Sequence, residues 1–331
     1  RRDFFQSKIS FPKIFLSHFL TSVLPPLFLL QSISEMFSKV VLALALAAGA
    51  QAALFTGDEV SQKYMWQNFK SEYGKHYATM EEEMERFTVF VANLKVIDQR
   101  NAEDTATHGI TKFADLTAEE FKNRYTNYTP DPERLAKRTM DNTIQPLPEG
   151  ADALVDWTGT FTTPVKDQGY CGSCWAFSAT EQVESDYMRL VGKEQILSAQ
   201  QVTSCTPYFF GGGCNGGFTE NAFDYMKDGV ETDSDYPYTS GTAGVTGTCK
   251  SSSSKFVVKA TGYTTVSSSA SGESSMASYV GSTGPLSVCV DAATWSSYTG
   301  GILSKCGTSV DHCVQAVGID TSAGYWKVRN S

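Results

Sequence analysis

The sequence predicts an α+β protein with a cleft between two halves, preceded by a separate helical region. Segments with helical spacing occupy residues 64–101 and 176–191, whereas short apolar runs typical of strands dominate residues 285–329. Helices that precede strands along the chain are characteristic of the α+β class. At 331 residues the chain is long enough for two domains with substantial cores.

The first 52 residues have the features of a targeting segment. Residues 36–52 combine a basic residue, the apolar run Val40–Ala50 and a small-x-small triplet that ends at Ala52, a pattern that predicts a signal peptide. We interpret residues 1–35 as non-native upstream sequence, because they lack an initiating Met. A transmembrane anchor over Ile14–Leu30 is the less favoured alternative, since that stretch is short and interrupted by prolines.

Residues 64–101 predict two helices ahead of the main domain. Trp66, Phe69 and Tyr73 lie on one stripe, which Gly74 ends. The second helix begins in an acidic run, which is favourable at a helix N-terminus. Five of its residues lie on one face: Arg86, Phe90, Asn93, Ile97 and Asn101. Composition alone does not exclude a plain helical hairpin with an ion pair.

Residues 126–150 contain four prolines and no periodicity, which predicts an extended, cleavable linker. Within it, Asn127-Tyr-Thr129 matches the acceptor pattern for N-glycosylation, a short motif that also occurs by chance. We place the start of the mature chain near Leu147. Residues 53–146 then form a removable region, and residues 147–331 form the main domain.

The main domain is organised around Cys174, which precedes the predicted helix Ala176–Val191. Apolar residues recur at helical spacing in that helix, and Gly192 stands just past its end. Unpaired N–H groups at a helix N-terminus lower the pKa of a cysteine, so this position suits a nucleophilic thiolate. Taken alone, the C-x-x-C pair with Cys171 is also compatible with a zinc half-site or a redox pair.

All eight cysteines lie beyond residue 170, which is typical of an oxidised, disulfide-stapled domain preceded by a removable region. Residues 147–331 carry 10 Lys/Arg against 18 Asp/Glu, a net charge of −8. This charge argues against nucleic acid or an anionic membrane as a partner.

Shorter elements complete the prediction for the main domain. Ser198-Ala-Gln-Gln201 has capping-box spacing and predicts a short helix. The glycine-rich stretch 211–217 is, from the residues alone, compatible with a flexible turn. Strands are predicted at Tyr263–Val266, Pro285–Val290, Gly300–Leu303, Cys313–Gly318 and Tyr325–Arg329.

Three motifs resemble those of papain-like cysteine proteases of the cathepsin L type. Cys171-Gly-Ser-Cys174-Trp175 matches the C-G-[SA]-C-[WY] signature around the nucleophile of that family. Residues 82–101 match the spacing of the propeptide motif E-x3-R-x2-V-F-x2-N-x3-I-x3-N. Gly109–Asp115 resembles the propeptide motif G-x-N-x-F-x-D, with Thr111 where Asn is usual. The resemblance covers residues 60–331 and implies a papain-like two-lobed fold, with a helical lobe, a β-barrel-like lobe and a helical propeptide over the cleft between them.

The resemblance implies a catalytic site of four residues. Cys174 is the nucleophile, and His312, the sole histidine after Trp157, is the base that later protonates the leaving amine. Asn330 accepts a hydrogen bond from the imidazole and orients it. Gln168 donates to the oxyanion together with the Cys174 backbone N–H.

The resemblance also implies substrate-binding residues. Gly216 and Gly217 lie along the cleft and pair with an extended substrate, which glycine allows to approach closely. A pocket takes the substrate residue second on the N-terminal side of the cut. We assign to it Thr219, Cys289, Val310 and Cys313, with Asp311 beside them. Its walls are uncharged apart from Asp311, so we expect a preference for apolar side chains.

Disulfides follow from the same resemblance. It pairs Cys171 with Cys214 and Cys205 with Cys249, which leaves Cys174 free. Two further cysteines, Cys289 and Cys313, fall outside the usual framework. These two cysteines either form a disulfide with each other or remain two independent buried thiols. The residues leave both alternatives open, and we slightly favour the disulfide.

We therefore predict a cysteine endopeptidase, made as a zymogen, that hydrolyses peptide bonds through a Cys174 acyl-enzyme. Its partners are polypeptide substrates and its own propeptide as an intramolecular inhibitor. No cofactor or metal is implied, and we expect a monomer without stable membrane association in the secretory pathway, either lysosomal or vacuolar or extracellular. The alternative is an inactive or truncated paralogue that acts as a binding protein. Because the usual partner of Cys306 follows Ser331 in the family, we also expect the peptidase domain to be incomplete at its C-terminus.

Overall fold

The computed structural model describes residues 55–207 and 212–331, apart from the side chains of Leu135 and Ala270. The predicted signal peptide and upstream residues lie outside this range. Between Phe55 and Ser331, the described helices include none that is long and apolar enough to cross a membrane. The described chain forms two compact units. The first contains residues up to Asp115 with Ser297–Ser304, and the second contains Leu116–Ser296 with Lys305–Ser331.

Helices dominate the first part of the chain and strands the last. The helices are α1 (Glu59–Tyr73), α2 (Met80–Glu103), α3 (Ala118–Tyr125), α4 (Pro132–Ala136), α5 (Cys174–Val191), α6 (Ala199–Cys205), α7 (Thr219–Met226), α8 (Ser240–Ala243) and α9 (Glu273–Ser282). The strands are β1 (Thr107–His108), β2 (Leu154–Asp156), β3 (Leu286–Val290), β4 (Tyr298–Gly300), β5 (His312–Asp320) and β6 (Tyr325–Arg329). This order confirms the predicted α+β class.

In the first unit, α1 and α2 pack through an aromatic core. Asp58 and Thr79 cap the two helices by accepting hydrogen bonds from backbone N–H groups of the first turn. Gly74 ends α1 in the left-handed conformation, with φ of 60°, which glycine adopts without steric cost. The buried core residues of this unit are Trp66, Phe69, Phe90, Leu94, Ile97 and Ala114.

The polar motif residues of α2 hold the chain that follows it by its backbone. Asn93 Nδ2 donates to the carbonyl oxygen of Ala114 at 2.8 Å. Asn101 and His108 exchange two hydrogen bonds, from Asn101 Nδ2 to the His108 carbonyl at 2.9 Å and from the His108 N–H to Asn101 Oδ1 at 2.7 Å. The polar side chains on this face of α2 thus form hydrogen bonds with backbone groups that would otherwise be unsatisfied.

In the second unit, β5 is the central strand of an antiparallel sheet. It pairs with β2, β3 and β6, and every β5 residue except the last is buried. Helix α5 packs against this strand: Ser178 Oγ donates to the Val314 carbonyl at 2.7 Å, and Gln315 Nε2 donates to the Glu181 carbonyl at 3.1 Å. This packing brings the beginning of α5 and the beginning of β5 into one region of the fold.

Helices α5, α6 and α7 surround a second apolar core on the other side of the unit. Its fully buried residues include Trp175, Leu197, Val202, Ala222 and Met226. The α5 terminus agrees with the sequence prediction, since Gly192 follows Val191 with φ of 72°.

Two strand predictions were wrong in detail. Tyr263–Val266 forms no strand, and only Thr265 makes an isolated bridge, to Met140. The strand predicted at Gly300–Leu303 lies earlier, at Tyr298–Gly300, where it pairs with β1. In both places the chain pairs over only one to three residues with a segment that is distant in sequence, and period-2 alternation does not reveal such pairings.

The capping box predicted at α6 is half formed. Ser198 Oγ accepts a hydrogen bond from the Gln201 N–H at 2.9 Å. The Gln201 side chain instead donates to the Gly229 carbonyl at 3.0 Å and accepts from the Glu231 N–H at 2.7 Å. A buried amide that bridges two backbone segments replaces the local return bond.

Candidate active site

Cys174 is the first residue of α5 and is fully buried. Its thiol belongs to no disulfide, because the neighbouring Cys171 is bonded to Cys214. This bond excludes the zinc half-site and the redox pair that the C-x-x-C spacing left open. Backbone N–H groups of Cys313 and Trp175 point at the sulfur.

His312 begins β5 and is 2% exposed. Its Nε2 lies 2.6 Å from Oδ1 of Asn330, which directly follows β6. An amide oxygen only accepts, so Nε2 carries the proton and Nδ1 is the basic nitrogen of the neutral ring. Nδ1 is buried and has no hydrogen-bond partner among the described residues. The Trp295 ring packs against the imidazole at nearly a right angle, with the ring centroids 5.9 Å apart.

Arg329, the residue before Asn330, anchors this end of β6. Its guanidinium is buried and donates to the Thr163 carbonyl at 2.6 Å and to Gln315 Oε1 at 2.8 Å. It also lies 3.5 Å from the buried carboxylate of Glu181 on α5. These bonds fix the backbone that presents Asn330 to the imidazole.

The site is occupied by part of the chain itself, residues 125–138, which we name the cleft segment. Gln168 is buried, and its Nε2 donates to the Tyr125 carbonyl at 3.0 Å. The Tyr128 N–H donates to the Asp311 carbonyl at 2.9 Å. At Gly216, any Cβ would overlap the carbonyl oxygen of Asn127. The cleft segment therefore runs along Gln168, Asp311 and Gly216, three of the residues that the sequence predicts for catalysis and substrate binding.

The Tyr128 side chain fills an apolar pocket beside Cys174. Its ring meets the Phe218 ring edge-on, with the centroids 6.0 Å apart. Cys174 and Cys313 are buried in the same cluster, and Cys289 and Val310 pack against it. A disulfide joins Cys289 to Cys313 across β3 and β5.

Both titratable groups of the site are neutral in this closed arrangement. Burial raises the pKa of the Cys174 thiol to about 12. Burial also lowers the pKa of His312 to about 4, although the hydrogen bond to Asn330 favours the protonated ring. The Tyr125 backbone acts in the same direction as Asn330. The position at a helix N-terminus alone predicts a lowered thiol pKa, and desolvation in this closed state outweighs it.

The remaining residues predicted for the site take these positions. Thr219 begins α7, and its hydroxyl donates to Glu220 Oε2 at 3.2 Å. A Cβ at Gly217 would lie 2.5 Å from the Trp175 ring. The Asp311 carboxylate accepts from the Ala292 N–H at 2.9 Å and not from the imidazole beside it in sequence. Cys205 and Cys249 are joined by a disulfide.

Comparison with known proteins decides the family. A profile described as "Papain family cysteine protease" matches residues 151–331, and one described as "Cathepsin propeptide inhibitor domain (I29)" matches residues 66–121. The chain belongs to the papain family of cysteine proteases. It is an enzyme of the cysteine protease type that carries its own inhibitory propeptide, and the alternative of an inactive binding protein is not favoured.

Relatives of this papain-family chain carry names that agree with the profile. It is 35% identical over 307 residues to "Cathepsin L-like proteinase" of Phaedon cochleariae. The aligned region covers 88% of this chain and 90% of that protein. It is 36% identical over 282 residues to "Digestive cysteine proteinase 1" of Homarus americanus, with coverages of 80% and 84%.

Solved structures of proenzymes have the same fold as the papain-family chain. Digestive procathepsin L 3 from the larval midgut of Tenebrio molitor matches with a TM-score of 0.68 and 30% identity, over 82% of this chain and 88% of that one. Recombinant stem bromelain precursor matches with a TM-score of 0.65 and 32% identity. The match covers 82% of this chain and 87% of that one. The papain-like fold preceded by a helical propeptide is thereby confirmed.

Three residues at the site were missed in the sequence. Trp295 packs against His312, Arg329 anchors the end of β6, and Tyr128 fills the pocket. Arg329 could have been found, because a lone arginine within a buried strand pattern needs a partner. Tyr128 carried no local signal, since it lies in a proline-rich stretch without periodicity.

Proposed function

We propose that the chain is a cysteine endopeptidase in which Cys174 and His312 act on the peptide bond, Asn330 orients the imidazole and Gln168 binds the oxyanion. The observation that carries this proposal is the hydrogen bond from Gln168 Nε2 to the Tyr125 carbonyl, 3.0 Å long, beside Cys174 and His312. A carbonyl oxygen of the chain itself thus stands where the carbonyl of a substrate would be polarised.

The first half-reaction forms the acyl-enzyme. His312 Nδ1 takes the proton of the Cys174 thiol, the sulfur attacks the scissile carbonyl carbon, and the electron pair of the C=O bond moves to the oxygen. Gln168 Nε2 and the Cys174 N–H donate to this oxyanion, and each such donor typically contributes about 10²–10³ in rate. When the C–N bond breaks, His312 Nδ1 gives its proton to the leaving amine, and a thioester remains.

The second half-reaction releases the acid. His312 Nδ1 is again unprotonated and takes a proton from a water molecule that attacks the thioester. The tetrahedral intermediate collapses, the C–S bond breaks and the thiolate returns. Asn330 supports both steps because its amide oxygen holds the Nε2–H tautomer, which leaves Nδ1 as the nitrogen that exchanges protons.

We propose that the cleft segment keeps the enzyme latent. It occupies the oxyanion donor through Tyr125 and the apolar pocket through Tyr128. It also excludes water, which holds Cys174 as a neutral thiol and His312 as a neutral imidazole. Cleavage between the cleft segment and Leu147 would expose the site, and apolar or aromatic substrate side chains would then enter the pocket that Tyr128 fills.

The proposed compartment is the secretory pathway, ending in a lysosome or vacuole or outside the cell. The disulfides at Cys171, Cys205 and Cys289 support it, because such bonds persist in oxidising compartments. We propose a monomer that is processed in this pathway.

The experiment compares two thiol variants of the full-length chain. Cys174→Ala should remove peptidase activity after the inhibitory region has been cut away by an added protease, with the circular dichroism spectrum unchanged. Cys306→Ala is the matched control, because Cys306 is a free and exposed cysteine. Retained turnover in Cys174→Ala, or equal losses in both variants, would contradict the proposal.

A further inference from the structure

A buried ion pair fixes the distal part of the cleft segment to α7. Arg138 Nε donates to Glu220 Oε1 at 2.6 Å, and a second guanidinium nitrogen contacts the same oxygen. Glu220 is 8% exposed, and its other carboxylate oxygen accepts from the Thr219 hydroxyl. The carboxylate is thus held in place by the protein and neutralised by one arginine.

A second arginine of the cleft segment, Arg134, binds residues on either side of Glu220 in the sequence and pairs with Asp131 of its own segment, with Nε 3.3 Å from Oδ2. The Arg134 guanidinium stacks over the Phe218 ring, with its carbon 4.5 Å from the ring centroid. Its Nη1 donates to Asn221 Oδ1 at 2.6 Å. A planar guanidinium binds well to the face of an aromatic ring, to an amide oxygen and to a buried carboxylate.

These groups belong to the peptidase domain, whereas both arginines belong to the cleft segment. Removal of the cleft segment therefore leaves Glu220 as a partly desolvated carboxylate without its cation, a state that costs free energy. It also uncovers the Phe218 face and Asn221. A ligand guanidinium that pairs with Glu220 supplies the missing cation, and Phe218 and Asn221 lie at neighbouring positions of the chain.

We propose that Phe218, Glu220 and Asn221 form a guanidinium subsite, which binds an arginine side chain of the substrate after the cleft segment has left. This inference rests on the proposed function and adds a substrate class to it. Phe218 is shared, because Tyr128 packs on the same ring within the apolar pocket. The subsite thus adjoins the pocket for the second residue before the cut, and the arginine belongs at the third or fourth residue before it.

The test uses the folded full-length chain after its inhibitory region has been removed. Peptide substrates carry tyrosine at the second position before the cut and either arginine or its neutral isostere citrulline at the third or fourth. We expect kcat/KM to be at least about tenfold higher for arginine at one of these positions, because a hydrogen-bonded charge contributes roughly 1.5–3 kcal/mol. Lysine should fall between the two, since it lacks the planar fork.

Glu220→Gln should bring the ratio of arginine to citrulline kcat/KM close to one, with both peptides measured on the same enzyme preparation. Asp228→Asn is the matched control, because Asp228 is an exposed carboxylate just past the end of α7. Its ratio should equal that of the unmodified enzyme. Equal rates for arginine and citrulline in the unmodified enzyme, or a ratio that survives Glu220→Gln, would overturn the subsite.

Binding of a peptide spanning residues 126–140 gives a second readout that needs no turnover. Replacement of Arg134 and Arg138 by citrulline should weaken its affinity for the processed protein at least about tenfold. Unchanged affinity overturns the subsite as well. Absence of turnover for every peptide, with this affinity difference intact, would overturn the proposed function and leave the guanidinium subsite standing.

Discussion

Gln168 donates a hydrogen bond of 3.0 Å from its side-chain amide to the carbonyl oxygen of Tyr125. The amide assigned to the oxyanion is therefore engaged by the chain itself. Because Tyr125 belongs to the cleft segment, the amide that we propose for the oxyanion also holds this segment in the closed state. Under this proposal, latency and catalysis depend on the same hydrogen-bond donor.

Loss of this amide should reduce turnover more than substrate affinity. Gln168→Ala removes one oxyanion donor, so kcat of the processed enzyme should fall about 10²–10³-fold with little change in KM. Steady-state kinetics on one peptide substrate measure both constants. Gln195→Ala serves as control, since Gln195 lies outside the site. A tenfold rise in KM at constant kcat would show that Gln168 only binds substrate.

Loss of the orienting amide should change the pH profile. The hydrogen bond from His312 to Asn330 raises the pKa of the imidazole, so Asn330→Ala should lower it. The basic limb of kcat/KM, where the imidazolium loses its proton, should then move to lower pH by up to about one unit. An unchanged basic limb together with reduced activity would indicate a purely steric role for Asn330.

Much of the fold could be predicted from the sequence, because its signals are local. The break at Gly74 and the end of α5 at Gly192 both follow from residue types at fixed offsets. The catalytic residues came from a resemblance, since nothing local connects Cys174 with residues more than a hundred positions away.

The parts that failed are those determined by tertiary contact. Gln201 has the spacing of a capping box, yet its amide bonds to Gly229 and Glu231, segments that only folding brings near. Tyr128 lies in a proline-rich linker and is nevertheless buried in the pocket. The neutral state of Cys174 depends on this burial, which no helix rule contains.

Closure of the cleft segment should weaken in acid. The pKa of His312 is about 4 in the closed state, against 6.5 for a solvated imidazole. Between these values the open state binds a proton that the closed state excludes, so closure loses up to about 1.4 kcal/mol per pH unit as pH falls. Hydrogen exchange of the Tyr128 amide in Cys174→Ala, corrected for intrinsic rates, measures the opening.

The control for this pH dependence is His312→Gln in the same background. Burial raises the pKa of Asp311, so its titration favours closure in acid and opposes the histidine. The Cys174 thiol is absent from both proteins, and Thr126 and Ala292 contact Asp311 equally in both. Opening that increases in acid to the same extent in the two proteins would exclude His312 as the cause.

The disulfide between Cys289 and Cys313 should be present in the folded protein. After the inhibitory region has been removed, alkylation without reduction, followed by peptide mapping, should label Cys174 and recover Cys289 and Cys313 as one linked pair. Cys174 provides the internal control that the reagent reached free thiols. Alkylation of both pocket cysteines would instead establish two independent thiols.

The rate at which iodoacetamide alkylates Cys174 tests most directly whether this residue is the nucleophile and whether the cleft segment masks it. At pH 7 a thiol with a pKa of about 12 is almost entirely protonated, whereas an ordinary cysteine with a pKa near 8.5 has about 10³-fold more thiolate. Removal of the inhibitory region should accelerate alkylation of Cys174 at least about 10³-fold, with peptidase activity lost at the same rate constant. Equal rates before and after removal, or activity that survives complete alkylation of Cys174, would contradict the account.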